Sequence, residues 1–91
     1  MKTLAQALGQ LLKDLGIEHE VLLNQAVHLW PEIVGKRIAK ISHAEKIDGN
    51  ILFVKVQNDS WRNELVFLKK DIIERLNKRI GKKVVEDIRL Y

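Results

Sequence analysis

The chain has no cysteine. That excludes disulfides and every thiolate-ligated metal site, and makes a reducing compartment the simpler setting. No apolar run comes near the ~20 residues that a membrane-spanning helix requires. The opening stretch MKTLAQALGQLLKDLG has an early lysine and several leucines, but Gln6, Gln10 and Lys13 interrupt anything resembling a signal-peptide core. These absences predict a cytoplasmic protein. With 91 residues and no Pro/Gly/Ser-rich linker, repeat or low-complexity segment, one domain over residues 1–91 is expected.

Catalytic vocabulary is also missing. His19-Glu20 begins like a zinc-protease helix, but position 23, where the second histidine belongs, is Leu23. His19, His28 and His43 have no metal-ligand spacing. There is no glycine-rich phosphate loop, and Ser42 and Ser60 sit in no nucleophile setting. The expectation is a non-enzyme without metal or cofactor. Aromatics are scarce, at two Phe, two Trp and one Tyr, so Trp30 and Trp61, each beside an apolar stripe, are expected in the core.

What is present is charge and periodicity. Hydrophobic residues make up 46% and charged residues 31%, the balance of a folded chain. The net charge of +4 is uneven: residues 1–68 hold eight basic and eight acidic residues, residues 69–91 eight and four. Such an excess suits an anionic partner or a solvated helix face.

Leu4, Leu8, Leu11 and Leu15 mark one face of a first helix that stops at Gly16. A second helix fits Glu18 to about Trp30, with Pro31 opening a short, bent one, PEIVGKRIAK. ISHAEKI, DGN and ILFVKVQ read as strand, hairpin turn and strand. In the second strand Leu52, Val54 and Val56 point one way, and Phe53, Lys55 and Gln57 the other. A long helix carries Leu65, Leu68, Ile72, Leu76 and Ile80 on its buried stripe, capped from within Asn58-Asp59-Ser60, with Asp59 or Ser60 as acceptors, and ended by Gly81. Trp61 is expected to pin its start onto the sheet. VVEDIRLY closes the chain as a strand, with Val84, Ile88 and Leu90 on one face.

The order α-α-(short α)-β-β-α-β predicts an α+β fold, a small mixed three-stranded sheet with helices on one face. It is reminiscent of KH-like domains. The face carrying Phe53 and Lys55 is then either covered by a loop or a contact surface for a partner. Nucleic-acid-binding KH domains clamp the backbone with a GXXG loop; here Gly35 is followed by Lys36, Arg37 and Ile38, so the second glycine is missing. Two basic clusters are the candidate nucleic-acid-binding residues. Lys36, Arg37 and Lys40 lie on the short helix; Lys69, Lys70, Lys78, Arg79, Lys82 and Lys83 lie on the long helix and its end. Arg75 belongs to the same helix. Cations at a helix C-terminus are also favoured by its dipole, and Glu74 can pair with Lys70 or Lys78.

The motifs LWPEIVGKRIAK (29–40), DGNILFVKV (48–56), SWRNEL (60–65), IIERLN (72–77) and the final VVEDIRL occur in order over nearly the whole chain. Together they resemble the DciA family. The resemblance implies a KH-like, non-catalytic adaptor that associates with the DnaB-type replicative helicase and with single-stranded or forked DNA during replication initiation. The runner-up is a KH-like RNA-binding or ribosome-associated protein. Longer family members carry a flexible extension; this sequence stops at Tyr91, which suggests a minimal or differently partnered member.

Overall fold

The computed structural model describes residues 3–91. Its elements are α1 (Leu4–Asp14), α2 (Glu18–Ala39), β1 (Ser42–Asp48), β2 (Ile51–Val56), α3 (Asp59–Ile80) and β3 (Asp87–Leu90). The sheet has the order β1-β2-β3. β1 and β2 are antiparallel, and β2 and β3 are parallel. A parallel pair needs a crossover, which α3 supplies. Ala44, Leu52, Val54, Val56 and Ile88 form the buried face of this sheet. Leu23, Ala26 and Trp30 from α2, Leu65, Ile72 and Leu76 from α3, and Val84 and Val85 before β3 complete the cluster. The α+β class, the mixed sheet and the burial of one sheet face agree with the sequence reading.

Local chemistry explains the boundaries. Thr3 and Gln6 form a reciprocal capping box at the start of α1, a T-L-A-Q signal legible in the sequence. At its end Gly16 adopts φ +74°. Its N–H bonds to the Lys13 carbonyl, and that of Ile17 to the Leu12 carbonyl, a Schellman closure. Gly81 ends α3 at φ +91°. The hairpin turn has positive φ only at Gly49, the sign pattern of a type II′ rather than a type I′ turn.

Three expectations are corrected and two open readings are narrowed. The break in the second helix falls at Gly35, with φ 85° and ψ 168°, while Pro31 lies within the helix. Proline forfeits one hydrogen bond, whereas this φ/ψ combination is open essentially to glycine alone. The cap of α3 is Asn58, whose Oδ1 accepts from the Trp61 N–H at 2.9 Å, so neither Asp59 nor Ser60 serves. Leu68, assigned to the buried stripe, is 36% exposed. The α1 leucines face solvent: Leu4, Leu8, Leu11 and Leu15 are exposed and α1 buries no residue. Last, β3 begins only at Asp87; Val84 and Val85 are both buried in the preceding loop.

That loop is held by Asn77 of α3. Its Oδ1 accepts from the Val84 and Val85 N–H groups at 3.1 and 2.9 Å, and its Nδ2 donates to the Val85 carbonyl at 2.9 Å. These bonds satisfy the Val85 N–H and carbonyl in a buried, non-strand segment; the Val84 N–H also donates to the Lys82 carbonyl at 3.0 Å. Trp30 is 1% exposed. Its indole N–H donates to Ser42 Oγ at 3.0 Å, and the Ser42 hydroxyl donates to the Ile38 carbonyl at 2.7 Å. This relay ties both sides of the Gly35 break to the first residue of β1.

Candidate nucleic-acid interface

Because the helices pack on one side, the other face of the sheet is uncovered among the described residues. Phe53 lies at its centre on β2. It is half-buried, and two long cations lie across it. Lys46 Nζ of β1 is 5.1 Å from the ring centre, and the Arg89 guanidinium of β3 is 5.8 Å away. Both are cross-strand neighbours in register with Phe53. Cation–ring contacts at such exposed sites are worth about 0.5–1 kcal/mol.

A bulge makes this arrangement possible. Ala44 pairs with Val54 and Lys46 with Phe53, leaving Glu45 as the extra residue. Strict alternation from buried Ala44 would turn Lys46 inward; one inserted residue turns it outward, beside Phe53. Lys55 extends the face, opposite His43 on β1. On its other side is Tyr91, whose N–H donates to the Val54 carbonyl and whose carbonyl accepts from the Val56 N–H. A shallow groove of about 340 Å³, lined by Lys40, His43, Lys55 and Gln57 among others, links this face to the end of α2.

The helical cations are dispersed. Lys36, Arg37 and Lys40 follow the Gly35 break and are exposed. Lys70, Lys78 and Lys83 are exposed, and none of these six lies in an ion pair among the described residues. Three others are engaged: Lys69 with Asp87 at 3.4 Å, Arg79 with Glu32 at 2.8 Å and Lys82 with Glu18 at 3.9 Å. The last two bridge α3 and its end to α2. On α3 itself, Arg75 pairs with Asp71 at 3.0 Å, and Glu74 takes neither Lys70 nor Lys78.

Trp61 is half-buried, packed against the core from the first turn of α3. Its outer surface lines a groove of about 570 Å³ with Val34, Arg37, Ile38 and Leu68. The Arg37 guanidinium is 5.3 Å from its ring centre. The fully buried tryptophan is Trp30.

Lys46, Arg89, His43 and Tyr91 were absent from the sequence-based candidates. Arg89 had a usable signal, since it alternates with Ile88 and Leu90 in the last strand. Lys46 had none, because its orientation depends on the bulge. Among the described residues no group of three or more His, Asp or Glu is placed to hold a metal ion, and no helix is long and apolar enough to cross a membrane.

The fold and this surface define a small α+β module with a basic, aromatic-centred sheet face backed by two helices. The sequence profile described as "Dna[CI] antecedent, DciA" matches residues 3–90, and the chain belongs to the DciA family. It is 30% identical over 80 residues to a UPF0232 protein of Streptomyces coelicolor, covering 86% of this chain and 42% of that protein. A UPF0232 protein of Streptomyces avermitilis is 31% identical over 80 residues, covering 86% and 44%. A third, from Corynebacterium glutamicum, is 24% identical over 62 residues, covering 68% and 35%. The chain thus spans less than half the length of these relatives.

Proposed function

We propose that this protein is a non-catalytic adaptor that associates with the replicative DnaB-type helicase and with DNA during replication initiation, working in the cytoplasm. The observation that carries this reading is membership of the DciA family over residues 3–90. Its DNA half is supported by the six cations on α2, α3 and just beyond their ends that lie outside ion pairs among the described residues, and by the basic sheet face. Phosphate contacts by such side chains give salt-dependent binding with little sequence preference.

Two measurements test the two halves separately. Co-purification of the tagged chain with the helicase of the same cell, at stoichiometric yield, is expected. A chain that captures no helicase under any nucleotide or salt condition sinks the adaptor role. Fluorescence anisotropy with single-stranded and forked oligonucleotides is expected to give a log–log salt slope of roughly −2 to −4, corresponding to about three to six neutralised phosphates. A flat slope, or no binding at low salt, removes DNA from the reading and leaves a protein–protein adaptor.

A further inference from the structure

We infer that the uncovered sheet face is a stacking platform for single-stranded DNA, with one base on Phe53 and the adjoining phosphates on Lys46, Lys55 and Arg89. This rests on the DNA half of the function proposed above and assigns it a surface.

The first ground is the position of Phe53. The core is complete on the opposite face of the same strand, where Leu52 and Val54 are wholly buried. A phenyl ring at the alternate, outward position is therefore not needed to fill the interior. It lies on the central strand, where a planar ligand meets neighbours on both sides. The second ground is the charge around it. Lys46, Lys55 and Arg89 come from three different strands, and none is in an ion pair among the described residues. The carboxylate that follows Arg89's parity on β3, Asp87, is turned to Lys69 at 3.4 Å. Lys46 and Arg89 reach the ring on flexible stems, so each can exchange it for a phosphate as a base arrives.

The third ground is continuity. From Phe53 the face runs through Lys55, His43 and Tyr91 into the groove that ends at Lys40. At the hairpin end Asp48, opposite Ile51, is acidic, while the bulge residue Glu45 lies away from the turn, between Lys46 and Ala44. A polyanion is therefore drawn from Phe53 toward Lys40 rather than toward the turn. A ring on the outward face, once its two cations move to phosphates, reads the flat side of a base, which is free only in an unpaired strand, so the ligand is single-stranded. A cationic track with an aromatic platform suits every base and predicts little sequence preference.

The test is an anisotropy titration of the full chain with a labelled oligodeoxythymidine and with an abasic strand of equal length and charge. The parent is expected to prefer the base-bearing strand. Phe53→Leu keeps the apolar bulk and removes the flat ring. It should bind oligodeoxythymidine roughly ten-fold or more weakly, lose the preference over the abasic strand, and keep the parental salt slope. Lys46→Gln combined with Arg89→Gln should instead shallow the slope by roughly 1.4, about 0.7 per lost phosphate contact. Circular dichroism checks each variant, and if Phe53→Leu does not fold, the slope of the double variant decides. A Phe53→Leu protein with parental affinity and parental preference, or a double variant with the parental slope, overturns the platform while DNA contact survives on the helical cations. A parent that binds neither strand takes the DNA reading down as well. Ten-fold tighter binding to oligouridine would reassign the face to RNA and overturn the DNA assignment.

Discussion

The Arg37 guanidinium lies 5.3 Å from the centre of the Trp61 ring, joining the part of α2 beyond Gly35 to the first turn of α3. Trp61 thus has one side on the core and one on a groove, whereas Trp30 is wholly enclosed. Trp30→Ala should cost about 3–5 kcal/mol, and Trp61→Ala about 1–3 kcal/mol. Urea titrations compare them. Acrylamide should quench the indole left in Trp30→Phe more strongly than the one left in Trp61→Phe. Equal quenching would mean that the groove is closed in solution.

The leucine stripe of α1 supports no core. Leu8→Gln and Leu11→Gln are expected to change stability by less than about 0.5 kcal/mol, as surface substitutions do. A loss of several degrees in Tm from either would show that α1 is packed in solution.

Gly35 and Gly9 form an internal control. A Cβ at either meets nothing within 4 Å, so any cost of alanine is a matter of backbone conformation. Gly35→Ala must hold φ near +85° and should cost about 1–3 kcal/mol. Gly9→Ala lies inside α1 and should raise helix content, worth about 0.5–1 kcal/mol locally. Alanine tolerated at Gly35 would mean that the α2 break is absent in solution.

Asn77 clamps the loop before β3. Asn77→Ala leaves the Val84 and Val85 N–H groups and the Val85 carbonyl without that partner, for a loss of about 2–4 kcal/mol. Asn77→Asp retains the acceptor and should fall between alanine and the parent. Hydrogen exchange should show the amides of Val84 and Val85 opening first in the alanine variant. Unchanged protection there would argue against the clamp.

The helical cations separate by their pairing. Replacing Lys36, Arg37 and Lys40 with glutamine should shallow the DNA salt slope by roughly 2, at about 0.7 per contact. Arg79→Gln, whose partner Glu32 already occupies it, should leave the slope near the parental value and cost under about 1 kcal/mol of stability. A parental slope in the triple variant would make the end of α2 an ordinary solvated surface.

Several features were legible in the residues alone because they depend on neighbours in sequence. Alternation placed Leu52, Val54 and Val56 inward and Phe53 outward. Helical spacing located Leu65, Ile72 and Leu76, and glycines at 16 and 81 marked helix ends where positive φ is needed. The order of elements and the mixed sheet followed from those local signals, and the family resemblance from the ordered motifs. Other features depend on residues far apart in the chain. Whether the α1 leucines are buried depends on what packs against them, and no spacing reports that. Lys46 reaches Phe53 because a bulge at Glu45 changes the register by one residue. Arg79 and Lys82 are occupied because α3 crosses close to Glu32 and Glu18. Periodicity determines which side of an element is apolar; only the packing of one element on another decides whether that side is covered, and which cations remain for a partner.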